Sequence, residues 1–190
     1  MSKKKRDGQS GEQSERELAR GVKLLRTLEG HHDYVSSVAF DPAGRTLASG
    51  GWDNTVKLWE AASGRLLRRL EEHKNHVMSV AFDPAGRTLV SGSSDGTVKL
   101  WEAGNGRLLR TLEGHTDSVD NVTFSVDGRL LASKSDDGTL RLWSCETWET
   151  VAVIPEPAHK GWVRGIAFHS HIAAAGLSWL TARRAGGPTI

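Results

Sequence analysis

The sequence repeats itself with a period of 42 residues, and this repeat restricts the possible folds more than any other feature. Tryptophan, histidine and aspartate all recur at that spacing. The positions are Trp59, Trp101 and Trp143; His31, His73 and His115; and Asp53, Asp95 and Asp137. Residues 23–64 and 65–106 are identical at 29 of 42 positions, which indicates duplication of one structural unit. The repeat unit therefore sets the architecture.

Each unit alternates short segments of period-two apolar pattern with clusters of turn residues. In the first unit, strands are predicted at residues 35–40, 45–49, 55–59 and 65–70, with turns at 41–44, 53–54 and 61–64. Short turns of this kind join antiparallel strands. Four antiparallel strands in 42 residues are typical of one blade of a β-propeller.

The predicted fold is all-β, an incomplete or open ring of three full four-stranded blades and a partial fourth. The units span residues 23–64, 65–106, 107–148 and 149–185, between a charged, mostly disordered tail (1–22) and a short tail (186–190). The fourth unit places Ala175, Trp179 and Ala185 where the earlier units have serine, aspartate and tryptophan. We therefore expect no sound blade after Phe168, and we interpret the chain as a truncated or frame-shifted piece of a longer propeller.

Residues 23–28 have the sequence of the fourth strand of a blade, although they precede the first full unit. They are positioned to complete the last blade by pairing with the C-terminal unit. The ring could close with four blades, close by oligomerisation, or stay open, and open blade edges predict self-association.

The repeats resemble the WD-repeat family through residues 28–31, 49–53 and 56–60. The resemblance covers about residues 23–185, although Glu60, Glu102 and Ser144 follow the repeated tryptophans in place of the family's aspartate. It implies a hydrogen-bonded tetrad of His, Ser, Asp and Trp in each blade. These tetrads are His31, Ser49, Asp53 and Trp59; His73, Ser91, Asp95 and Trp101; and His115, Ser133, Asp137 and Trp143.

Serine, histidine and aspartate together could also form a hydrolase triad. The trio recurs three times with a tryptophan donor for the serine, which suits a structural role and would encumber a nucleophile. Residues 92–96 match the G-x-S-x-G pattern, but they connect two predicted strands, whereas that motif requires a strand-to-helix turn. The sequence therefore predicts no catalytic residue and no enzyme activity.

The charge balance, the cysteine count and the positions of the histidines restrict the possible partners, location and cofactors of the protein. The 25 basic and 23 acidic residues nearly balance, so nucleic acid is an unlikely partner, although a basic run at residues 3–6 has no assigned role. One cysteine, Cys145, and the absence of a secretory signal or apolar span predict a soluble protein in the cytoplasm. No further ligands are expected near His31 and His32 or near His169 and His171, so no metal or other cofactor is expected.

Differences between the first two units are concentrated at two places, residues 32–36 and 51–54. Seven of the 13 differences fall there, and both places lie at one edge of the predicted blade. We predict that this edge binds a protein or peptide, which makes the chain a scaffold; the alternative is a sensor or regulatory module cut from a larger multidomain effector or signalling enzyme. The predicted binding residues are Tyr34, Ser36, Trp52, His76, Met78, Ser94, Ser118, Asp120, Asp136, Trp162 and Arg164.

Overall fold

The computed structural model of the protein describes residues 25–156, 165–168 and 179–181. Every regular element in this part of the chain is a β-strand. Blade 1 contains β1 (Val35–Phe40), β2 (Thr46–Gly51), β3 (Val56–Glu60) and β4 (Leu66–Leu70). Blade 2 contains β5 (Val77–Phe82), β6 (Thr88–Ser93), β7 (Val98–Glu102) and β8 (Leu108–Leu112). Blade 3 contains β9 (Val119–Phe124), β10 (Leu130–Ser135), β11 (Thr139–Ser144) and β12 (Thr150–Pro155).

Each blade is a four-stranded antiparallel sheet in which strands pair in the order of the sequence. The tight turn between β1 and β2 shows why. Asp41 Oδ1 accepts hydrogen bonds from the backbone N–H groups of Arg45 and Thr46, and Gly44 adopts φ of 65°, which favours glycine. The fold class is therefore confirmed: three complete blades stand side by side, as the repeat predicted.

The blades pack face to face through apolar side chains. Val77 and Val80 of β5 contact blade 1 at Gly50, and Val119 and Val122 of β9 contact blade 2 at Gly92. Burial of each such valine contributes about 1.5–3 kcal/mol. The apolar cores therefore lie between blades.

A partial fourth unit follows blade 3. Its strands β13 (Ile166–Phe168) and β14 (Trp179–Thr181) pair antiparallel, and Ile166 and Phe168 pack against the buried Ala132, Leu140 and Leu142 of blade 3. The tails at 1–22 and 186–190 lie outside the described residues.

Two details differ from the sequence-based expectation. Residues 25–28 form no strand, because no strand lies beside them to pair with in the described part of the chain. In the fourth unit, Thr181 lies opposite Ile166, which is the place that Ser133 takes opposite Val122 in blade 3. Counting residues in steps of 42 assigned that place to Ala175 and was wrong, because the connection before β14 is longer than in the other units.

Candidate functional site

A chain of hydrogen bonds links four side chains inside blade 2. The indole Nε1 of Trp101 donates to Ser91 Oγ at 2.9 Å, and Ser91 Oγ lies 2.7 Å from His73 Nε2. His73 Nδ1 lies 2.8 Å from Asp95 Oδ2. Indole can only donate and carboxylate can only accept, so the direction is fixed: Ser91 donates to Nε2, and Nδ1 carries the histidine proton.

The same chain of bonds recurs in the other two blades. Blade 1 joins Trp59, Ser49, His31 and Asp53 at 2.8, 2.7 and 3.0 Å. Blade 3 joins Trp143, Ser133, His115 and Asp137 at 2.8, 2.8 and 2.8 Å. The structure thus brings together all twelve residues of the three predicted tetrads.

Each tetrad aspartate also holds the backbone around it. Asp95 accepts hydrogen bonds from the backbone N–H of Lys74 at 2.9 Å and of Thr97 at 3.0 Å, and from the Thr97 hydroxyl at 2.6 Å. One carboxylate therefore ties the segment that enters the inner strand to the turn between the second and third strands. The tetrad fixes the edge of the blade at which those two segments meet.

The electrostatics of the tetrad favour a charged aspartate beside a neutral histidine. Burial raises the pKa of Asp137, but hydrogen bonds from Thr139, His115 and the backbone N–H of Thr116 outweigh it and lower this pKa to about 2. Burial lowers the pKa of His31 and of His115. The neutral imidazole is also the form that the hydrogen bond from serine requires.

These shifts predict a loss of stability in acid. A carboxylate with a depressed pKa stabilises the fold above its unfolded value of 3.8, and this contribution is lost as the pH falls towards about 2. For Asp137 the effect is on the order of 2 kcal/mol. His31 and His115 act in the same direction below pH 6.5, since the unfolded chain takes up protons first.

Urea unfolding measured from pH 7 to pH 2 tests this expectation. Asp137→Asn should flatten the acid limb of the stability curve more than Asp136→Asn, the same change at the neighbouring exposed residue. Equal slopes for the two variants would contradict the assigned role of Asp137.

Blade 1 adds a buried cation, Lys57, that the repeat pattern did not indicate. Lys57 Nζ lies 2.7 Å from Asp53 Oδ2 and 2.5 Å from Thr55 Oγ1. At the same place blade 2 has Lys99, bonded to Thr111 Oγ1 at 3.0 Å, and blade 3 has Arg141. The alternating apolar and polar pattern of the third strand did not indicate these roles, because it predicts that a lysine within a strand faces solvent.

The tetrad serine is unsuited to act as a nucleophile. Ser91 is fully buried, and its Oγ already accepts a hydrogen bond from Trp101. A substrate therefore has no route to this oxygen in the structure. The arrangement of Ser91, His73 and Asp95 supports a structural role in the blade.

The variable positions of the repeat lie on one edge of the blades. The backbone N–H of Trp52 donates to the carbonyl of Tyr34 at 2.8 Å. The same bond joins Ser94 to His76 and Asp136 to Ser118, both at 2.9 Å. Each blade therefore presents one residue from the inner-strand entry beside one from the turn between its second and third strands.

Side-chain contacts within and between blades join these pairs into a continuous row. Tyr34 meets Trp52 edge to face with ring centroids 5.3 Å apart, and Trp52 stacks on His76 of the next blade at 4.8 Å with parallel rings. Further along, Ser94 Oγ lies 3.0 Å from Ser118 Oγ of blade 3. We call this set the binding row: Tyr34, Trp52, His76, Ser94, Ser118 and Asp136.

The remaining predicted binding residues are distributed less evenly. Ser36, Met78 and Asp120 are each the extra residue of a β-bulge in an inner strand. They therefore have no paired residue on the second strand of the blade. Ser36 is exposed and Met78 is partly exposed, but Asp120 is buried and accepts a hydrogen bond from Ser118 Oγ. Asp120 was therefore wrongly expected among the exposed residues of this edge. Trp162 and Arg164 lie outside the described residues.

Three side chains that support the row were missed. Asp33, Asn75 and Asp117 each accept a hydrogen bond from the backbone N–H of the following residue, at 2.8, 2.8 and 2.7 Å. These bonds fix the backbone of Tyr34, His76 and Ser118, the first residue of each pair in the row. Their spacing of 42 residues was the available signal, because aspartate and asparagine form such local turns.

The described residues contain no group of three or more His, Cys, Asp or Glu side chains that could hold a metal ion. Within the same residues, no helix is long and apolar enough to cross a membrane.

Stacked four-stranded blades, each with its own tetrad, define a repeat protein of the β-propeller class. A family profile described as "WD domain, G-beta repeat" matches residues 22–60, 64–102 and 106–144. The chain belongs to this WD40 repeat family. Members generally act as protein-interaction scaffolds.

Similar curated proteins match the chain over about one repeat. The chain is 46% identical over 41 residues to the histone transcription regulator slm9 of Schizosaccharomyces pombe, covering 22% of this chain and 5% of that protein. It is 54% identical over 43 residues to the small ribosomal subunit protein RACK1z of Arabidopsis thaliana, covering 23% of this chain and 13% of the relative. The matches thus span a small part of these relatives' length.

Two solved structures resemble the chain over a longer stretch. The structure of U3-55K aligns with a TM-score of 0.68 at 26% identity, covering 75% of this chain and 44% of that one. The crystal structure of the RRP9 WD40 repeats aligns with a TM-score of 0.67 at 26% identity, covering 75% and 43%. Both neighbours are WD40 propeller domains.

Proposed function

We propose that the chain is a non-enzymatic scaffold that binds a protein or peptide along the binding row. The observation that carries the proposal is the aromatic end of that row. Tyr34 is 73% exposed and Trp52 is 39% exposed, yet both are held in place by ring contacts and a backbone hydrogen bond. Rigid, exposed aromatic side chains are typical anchors of protein interfaces, because they contribute large contact area at small entropic cost.

The contrast between the tetrads and the row supports this assignment. The tetrad keeps the same four residue types in all three blades, while the row changes from tyrosine and tryptophan to serine and aspartate. Structure and recognition are thus carried by separate residues on one framework.

A protein partner fits the chemistry of the row better than a nucleic acid does. Asp33, Asp117 and Asp136 are exposed on this edge, so the face carries carboxylates beside its aromatic residues. Carboxylates repel a phosphate backbone, whereas they accept hydrogen bonds from peptide N–H groups and from basic side chains. We place this scaffold in the cytoplasm, on the strength of its composition and single cysteine.

A peptide selection tests the role of the row. Peptides from a random displayed library would be selected on the unaltered protein, and their affinities measured by fluorescence anisotropy. We expect Trp52→Ala to weaken binding of most selected peptides by about tenfold or more, the loss expected for an interface anchor.

Leu109→Ala is the matched control, because Leu109 is an exposed apolar residue of similar accessibility on the outer strand of blade 2. Binding should survive this change. Peptides that bind the Trp52→Ala and unaltered proteins equally well, or a selection that yields no binder, would refute the proposal.

A further inference from the structure

The inner strand of blade 1 leaves an apolar face uncovered. Val35, Val38 and Phe40 are 51%, 61% and 62% exposed. Their repeat counterparts Val77 and Val80 in blade 2 are 0% and 5% exposed, because they pack against blade 1. We call the three exposed side chains of β1 the open face. Its residue types are those that bury themselves against a preceding blade.

The turn beside the open face also lacks its neighbour. Gly86 packs on Pro42 of blade 1, where a Cβ would lie 3.1 Å from the proline Cδ, and Gly128 packs on Pro84 of blade 2 at 3.5 Å. At the corresponding Gly44 no atom lies within 4 Å of a Cβ position. Blade 1 thus presents the same valine and turn positions with which blades 2 and 3 dock, and no described blade packs against them.

A short segment of the chain lies beside blade 1 at the place of an outer strand. A Cβ at Gly106 would lie 2.6 Å from Leu70 Cδ2, on the outer strand of blade 1. The equivalent Cβ at Gly64 would lie 2.9 Å from Leu28 Cδ2. The segment at residues 26–28 therefore lies where the outer strand of a preceding blade belongs.

The opposite end of the stack carries the fourth unit, whose described strands can receive the open face. The described residues of the fourth unit form two strands, β13 and β14, which correspond by register to the two inner strands of a blade. Blade 3 itself cannot receive the open face as blades 1 and 2 receive their neighbours. Ile166 and Phe168 already cover it, and Lys134, paired with Glu156, replaces the glycine found at positions 50 and 92.

We propose that the open face binds the fourth unit of a second copy of this chain, and that two copies close one propeller ring. Each copy contributes residues 26–28 as the outer strand of its partner's fourth blade. Head-to-tail contacts close into a ring when the rotations complete a full turn. The chain covers 44% and 43% of the two propeller chains that it resembles, so two copies approach one chain of that length.

The solution mass of the full chain tests the proposal directly. Sedimentation equilibrium at micromolar concentration should give twice the 20.7 kDa of one chain. Small-angle scattering should give the maximum dimension of one closed propeller of that mass, which is shorter than two stacks joined through their open faces. A monomer, an open polymer or an elongated dimer would each overturn the proposal.

A substitution on the open face tests whether the dimer forms through this surface. Val38→Asp should abolish the dimer and return the mass of one chain, while the far-UV circular dichroism stays unchanged because Val38 is not part of a core. Val151→Asp is the control, since Val151 is 59% exposed on the outer strand of blade 3. A dimer that survives Val38→Asp, or one that is lost equally with Val151→Asp, would refute the assignment.

Discussion

Replacing Trp101 by phenylalanine is expected to lower the free energy of unfolding by about 1–3 kcal/mol. Trp101 is the largest fully buried side chain of the described residues, and its Nε1 is the donor that begins the tetrad of blade 2. Phenylalanine keeps most of the ring but leaves Ser91 Oγ without that donor. It also leaves a small cavity between blades 1 and 2, where Trp101 packs, so both effects act in the same direction.

Trp52→Phe is the matched control for this prediction. It makes the same chemical change at an exposed indole that belongs to no tetrad, so the free energy of unfolding from urea denaturation should stay within about 0.5 kcal/mol of that of the unaltered protein. A double variant with Ser91→Ala separates the two effects of Trp101→Phe. If the tetrad couples these residues, the double variant loses less stability than the sum of the single variants. Strict additivity would show that only the packing of Trp101 matters.

Much of the fold could be predicted from the sequence, because the same pattern of strand and turn residues recurs in three units. The strand β1 was predicted at its observed bounds, and β2 and β3 to within two residues, since turn residues mark both ends of each strand. The tetrads were assigned from resemblance. The donor and acceptor capacities of Trp, Ser, His and Asp gave independent support for one order of bonding.

Features that depend on how one blade contacts the next could not be predicted in the same way. The stacking of Trp52 on His76 joins residues 24 positions apart in different blades, and no periodicity within one repeat reveals such a contact. The burial of Asp120 could not be read from the repeat either, because Ser36 and Met78 take the same bulge position in blades 1 and 2 and are exposed and partly exposed. In the fourth unit, the position of Thr181 depends on strand register, which the length of the sequence between β13 and β14 does not fix.

The junction between blades 2 and 3 should be sensitive to a single added methyl group. We expect Gly92→Ala to destabilise the protein by about 1–3 kcal/mol, the usual cost of overpacking a core. A Cβ at Gly92 would lie 2.8 Å from Val119 Cγ1, 3.0 Å from Val122 Cγ1 and 3.2 Å from the carbonyl oxygen of Val119. Neither the short valine side chains nor the paired backbone of β9 can move away without disturbing the sheet.

Gly104→Ala provides the control, because nothing lies within 4 Å of a Cβ at Gly104 and blade 1 already has alanine at the equivalent position 62. This change should be neutral or stabilise the protein by up to about 1 kcal/mol, since alanine restricts the unfolded chain. The difference between the two variants in urea denaturation therefore measures the closeness of the blades. Equal midpoints would mean that blades 2 and 3 are packed more loosely than the contact at Gly92 implies. Blade 3 shows what a larger residue does at this position. Lys134 replaces the glycine of blades 1 and 2, and its side chain pairs with Glu156. The unit that follows blade 3 has two short strands in its described residues.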